Sequence, residues 1–71
     1  MALKTFELRI HNSRVREALQ SGRSNETLFD DSWADTRFVE IQALTSHFAR
    51  QVAERRYPED QGFVIEGIEP V

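Results

Sequence analysis

The chain has 71 residues, twelve acidic and nine basic, with a formal net charge of −3 and no cysteine. A chain this short forms one domain, spanning residues 1–71, and buries only about 60% of its unfolded surface. An enclosed substrate pocket of roughly 300 Å³ or more would hollow out much of that core, which argues against an enzyme. The lack of cysteine excludes disulfides, thiolate metal ligands and thiol nucleophiles together. Small secreted domains usually carry disulfides, so a cytoplasmic location is expected. Residues 1–7 contain no apolar run of the signal-peptide kind, and no stretch is long and apolar enough to span a membrane. Eight of the nine basic residues are Arg. That bias suits planar, bidentate pairing with carboxylates or phosphates, although a GC-rich genome produces it too.

Residues 4–11 alternate, with Phe6, Leu8 and Ile10 on one face and Thr5, Glu7, Arg9 and His11 on the other. Period two predicts a half-buried strand. Asn12 or Ser13 then offers a helix cap, Val15, Ala18 and Leu19 follow at helical spacing, and Gly22 suits the position just past a helix end. A short helix over about 14–21 is expected. Residues 22–35 are the least regular. Ser24 is positioned to cap a single turn running through Leu28 and Phe29, Asp30-Asp31-Ser32 breaks it, and Leu28, Phe29 and Trp33 are the apolar anchors of an ordered loop.

Residues 36–43 alternate again, placing Val39, Ile41 and Ala43 on one face and Phe38, Glu40 and Gln42 on the other. Thr45 or Ser46 caps a second helix over about 46–57, with an apolar stripe of Phe48, Ala49, Val52, Ala53 and the stem of Arg56. Pro58 stops it and pushes Tyr57 out of the helical region. Gly62 leads into a third strand over 63–71 whose phase breaks after Ile65. A bulge at Glu66-Gly67 would return Ile68 to the face of Phe63 and Ile65, and Pro70 marks the end of pairing.

The expected fold is α+β. A three-stranded sheet, in the chain order β-α-β-α-β, has the first strand in the middle and two helices packed on the face bearing Phe6, Leu8, Ile10, Val39 and Ile41. The alternative is an antiparallel pair of the first two strands with the third on an edge.

No catalytic or cofactor motif stands out. His11 and His47 lack metal-ligand spacing on any one element. Ser13, Ser24, Thr45 and Ser46 read as caps or turn residues rather than nucleophiles. Gly22, Gly62 and Gly67 are isolated and make no phosphate loop. No cofactor, metal or catalytic residue is assigned, and no membrane contact is expected. The charges alternate in sign by segment: 1–23 and 37–58 are net basic, 24–36 and 59–71 net acidic. Two surfaces follow. A sheet with helices on one face leaves its other face open, where Phe38 and Val64 would neighbour Arg9 and Glu40, with Trp33 just ahead of the second strand. That is the layout of a protein-contact surface, and a second copy of the chain is one candidate occupant. Alternatively, Arg14, Arg16, Arg50, Arg55 and Arg56 on the two helices would line a strip for nucleic-acid contact. The expected function is a small non-enzymatic interaction module, a homodimer being one form of it, with a nucleic-acid accessory as the alternative.

Overall fold

The computed structural model describes residues 2–71. Strands β1 (Lys4–Asn12), β2 (Arg37–Ala43) and β3 (Phe63–Pro70) form one antiparallel sheet in the order β2-β1-β3. Helices α1 (Ser13–Gln20) and α2 (Ser46–Arg56) contact it, giving the order β-α-β-α-β of an α+β fold. Two 3₁₀ turns, Asp31–Ala34 and Glu59–Gln61, lead into β2 and β3. The central position of β1 agrees with the sequence. Because β1 runs antiparallel to both neighbours, β2 and β3 are parallel to each other without touching.

The alternation of β1 sets the core. Phe6, Leu8 and Ile10 are buried on one face, joined by Ile41 and Ala43 of β2, Ala49 and Ala53 of α2 and Phe63 of β3. Two alanines on one helix face allow α2 to approach the sheet closely. The stripe is narrower than its sequence suggested: Val52 is partly buried, but Phe48 and Arg56 are exposed. Phe48 instead meets His47 edge to face, with ring centroids 6.0 Å apart.

α1 begins with no intervening loop. Asn12, the last residue of β1, is also its cap: Oδ1 accepts from the N–H groups of Arg14 and Val15, while Nδ2 donates to the Gln61 carbonyl. This is the single buried polar side chain among the described residues, and both of its polar atoms are bonded. The helix ends as Gly22 predicts. With Gly22 at φ 72, Arg23 N–H bonds to Ala18 O and Gly22 N–H to Leu19 O, the paired bonds of a Schellman motif.

The predicted bulge is present. Ile10 faces Ile65 and Arg9 faces Gly67, so Glu66 is the unpaired extra residue, and Ile68 returns opposite Leu8 on the core face. Pairing runs one residue past Pro70, since Val71 N–H donates to Thr5 O at 2.9 Å.

The segment 23–30 differs from expectation. No turn forms on Ser24. Asn25 organises the segment instead, accepting from Thr27 and donating to the Phe29 carbonyl and to Asp31. Asp30 then caps the 3₁₀ turn through Ser32 N–H. Phe29 and Trp33 anchor on Phe63 at centroid distances of 4.7 and 5.2 Å. Leu28 is not an anchor: it is 99% exposed.

Candidate interaction face

Neither helix covers the second face of the sheet, which is built from the odd residues of β1 and their cross-strand partners. The register reads off in rows. Thr5 lies beside Gln42, and Glu7 lies between Glu40 and Glu69. Arg9 lies between Phe38 and Gly67, and His11 beside Val64. Three glutamates therefore stand in line across three strands, an arrangement that disfavours folding because like charges face one another directly. Arg9 offsets part of this by pairing with Glu69 at 3.3 Å. Its guanidinium lies over Gly67, in the space that a side chain there would occupy.

At one end of the face, the bulge swings the Glu66 carboxylate over the central strand. His11 Nδ1 donates to Glu66 Oε2 at 2.6 Å, and the Thr36 hydroxyl donates to the same oxygen at 2.7 Å. A carboxylate only accepts, so the imidazole must carry its proton on Nδ1. This latch joins side chains from β3 and β1 and from the residue preceding β2. It is not a catalytic relay, because the hydroxyl binds the carboxylate rather than the second imidazole nitrogen. The hydrogen bonds from Thr36 and then His11 hold the Glu66 carboxyl below its ordinary value of 4.5. A depressed carboxylate contributes stability that is full above its ordinary titration range and lost as the pH falls through the folded-state value. Glu66→Gln is accordingly expected to flatten the acid limb of a melting-temperature profile. An acid limb identical to that of the unmodified chain would show that the latch is not coupled to folding.

Phe38 is 65% exposed and Val64 39%. They do not form the contiguous patch that the sequence suggested. Each lies on an outer strand, about 12 Å apart, two strand spacings across and two residues along, with Arg9 and His11 between them. Trp33 is elsewhere. It packs with Tyr57 and Phe63 against the core, and the Arg37 guanidinium sits 4.4 Å from its ring centroid. The face is thus acidic, carries one prominent aromatic at its β2 side, and has Glu40 beside that aromatic.

The proposed arginine strip is divided. The main neighbour of α1 is the turn 31–34, whereas α2 packs on β2 and β3, so the helices form no side-by-side pair. Arg14 donates to the Asp60 carbonyl and Arg16 to the Ala34 carbonyl, each at 2.6 Å. Arg50, Arg55 and Arg56 are exposed on α2. Arg50 and Glu54 make no ion pair; among the described residues the Arg–carboxylate pair is Arg9–Glu69, beside the His11–Glu66 hydrogen bond.

A concavity of about 810 Å³ is an open groove between α1 and residues 23–29, with Arg14, Glu17, Leu28 and Phe29 in its lining. Neither histidine reaches it. No group of His, Asp and Glu among the described residues has metal-binding geometry, and no helix is long and apolar enough to cross a membrane. No protein-family model matches the chain, and neither the curated proteins nor the solved structures searched contain a match.

Sequence reasoning identified Phe38, Val64, Arg9 and Glu40 as residues of one face. It missed the Glu40–Glu7–Glu69 row and the Glu66 latch. Both depend on cross-strand register, which alternation alone does not supply.

Proposed function

We propose that this chain is a small protein-interaction module that makes contact through its open sheet face. The observation that carries this reading is Phe38, a large aromatic side chain 65% exposed at the second position of an ordered strand. An aromatic held rigid by a sheet contributes contact area at low entropic cost, and aromatic residues are enriched at interfaces. Glu7, Glu40 and Glu69 on the same face supply the charge that would select among partners, through complementarity rather than raw affinity.

The test is comparative affinity capture with the full chain as bait. The reading expects specific proteins to be recovered by the unmodified chain, lost with Phe38→Ser and with Glu7→Lys, and retained with Arg55→Glu on α2. Capture that follows Arg55→Glu and ignores the face variants would overturn it and transfer attention to the exposed arginines of α2. Nucleic-acid contact there would show salt-dependent binding weakened by Arg50→Ala combined with Arg55→Ala.

A further inference from the structure

The sheet has two edges, and they are unequal. The β3 edge carries a bulge at Glu66-Gly67, a glycine, and Pro70, which has no N–H to offer. These are the devices by which natural sheets avoid pairing with other chains. The β2 edge has none of them. Its seven residues, Arg-Phe-Val-Glu-Ile-Gln-Ala, contain no proline, glycine or lysine and run in unbroken register with β1. Among the described residues, no hydrogen bond outside the β1–β2 ladder reaches a backbone group of β2. Every second residue of the strand therefore presents an unpaired N–H and C=O outward.

The geometry points to a second copy of this chain as the occupant of that edge, paired β2 to β2 and antiparallel about a two-fold axis. This inference names a partner that docks on the edge bordering the proposed interaction face, beside Phe38 and Glu40, and it rests on that reading of the face as a contact surface. Directly opposed residues in an antiparallel pair share a face, so only registers that keep Phe38 and Glu40 on the open side continue both sheets. Complete overlap of the seven residues would set Glu40 against Glu40 of the second copy, two like charges in direct opposition. A slide of two residues places Val39 on the axis. Val39 then meets Val39, Arg37 meets Ile41, and Phe38 meets Glu40 twice, with no like charges opposed. The two Phe38 rings become diagonal neighbours, within reach of each other. Partly buried Val39, at the margin of the apolar core, gains a matching partner.

The product is a six-stranded antiparallel sheet, β3-β1-β2-β2-β1-β3. The α2 helices lie on one side, and the two acidic faces are continuous on the other. An isologous contact of this kind closes on itself, because each copy spends its single unguarded edge and leaves only the guarded β3 edges outside. A foreign strand would satisfy the same backbone groups. The second copy is favoured because β2 is complementary to itself in this register. The chain also has a small core, three of whose nine buried apolar side chains are alanines, and it gains from association.

Sedimentation velocity on the full chain, from low to high micromolar concentration, tests the proposal. The expected result is a monomer–dimer equilibrium. Phe38→Glu places two carboxylate pairs in opposition at the interface and should raise the dimer dissociation constant about tenfold or more. Combining Phe38→Glu with Glu40→Lys converts those pairs to attractive ones and should restore association. Val64→Glu, on the same face but the far edge, should leave the constant within about twofold. Thermal melting of each variant at low concentration confirms that the monomer still folds. A strict monomer at every concentration overturns the proposal, and so does a double variant that fails to recover. A dimer weakened equally by Val64→Glu and Phe38→Glu means face-to-face stacking, which also overturns edge pairing but upholds the open face as an interaction surface. Conversely, a monomer that captures a specific protein through Phe38 and Glu7 retains the interaction reading without this partner.

Discussion

Leu8→Ala is expected to abolish the cooperative unfolding transition of this chain. Leu8 is fully buried at the centre of the central strand, opposite Val39 on one side and Ile68 on the other. Truncating a buried leucine costs about 2–5 kcal/mol, the lost transfer free energy plus the cavity left behind. A domain of this size rarely has more than about 3–5 kcal/mol in total, so the loss matches the whole margin. The effect depends on position rather than on strand propensity, and the adjacent residue supplies the control. Glu7 sits on the opposite face, between two other glutamates. Glu7→Gln relieves that repulsion and is expected to leave stability unchanged or raise it by a few tenths of a kcal/mol. Circular dichroism with thermal melting reads both. A Leu8→Ala variant that melts sharply at the original temperature would mean that the core does not lie on the even face of β1.

The second large effect is at Gly62. It has φ 98 and closes the turn into β3. A β-carbon there would lie 2.7 Å from Asn12 Oδ1 and 2.8 Å from Arg14 Cγ. Gly62→Ala therefore incurs two costs. A left-handed conformation costs a non-glycine residue about 1–2 kcal/mol. Displacing the Asn12 oxygen weakens the cap of α1, another ~1 kcal/mol by the usual value of an N-cap. The sum, about 2–3 kcal/mol, is again most of the available stability. The same junction carries the bonds from Ser13 N–H and its hydroxyl to the Gly62 carbonyl, at 2.7 and 3.0 Å, so the damage is shared by α1, β1 and β3. A double-mutant cycle isolates the steric part. In an Asn12→Ala background the colliding oxygen is absent, and Gly62→Ala should cost less by about the cap contribution. Additive losses would show that the backbone conformation alone requires glycine.

The two residues also mark the limit of what was legible in the chain. Local signals read correctly wherever one element's own period or cap decided the outcome. The alternation of β1 and β2, Gly22 after α1, Thr45 before α2 and the phase break at Glu66 are all of this kind. Asn12 was visible as a cap, but its second role, holding the Gln61 carbonyl from 49 residues away, leaves no local trace. Leu28 and Phe29 are adjacent apolar residues with similar sequence surroundings. Phe29 is partly buried against Phe63 and Leu28 fully exposed, because the hydrogen bonds of Asn25 set the direction of the chain there. The arginines show the same limit. Composition marks them as a group, whereas the fold sends Arg14 and Arg16 to backbone carbonyls and leaves Arg50, Arg55 and Arg56 in solvent.

The bulge has a consequence for how the length of this chain is able to vary. In β1 or β2, removing one residue would turn every later side chain of that strand to the opposite face. At Glu66 it would not. Without Glu66, Gly67 would still face Arg9, Ile68 would still face Leu8 and Ile65 would still face Ile10, now as an ordinary ladder. That single residue is a spare in the architecture of the sheet and dispensable to its packing. What the extra residue adds is the carboxylate that it carries to His11 and Thr36 and the break that it makes in the β3 edge.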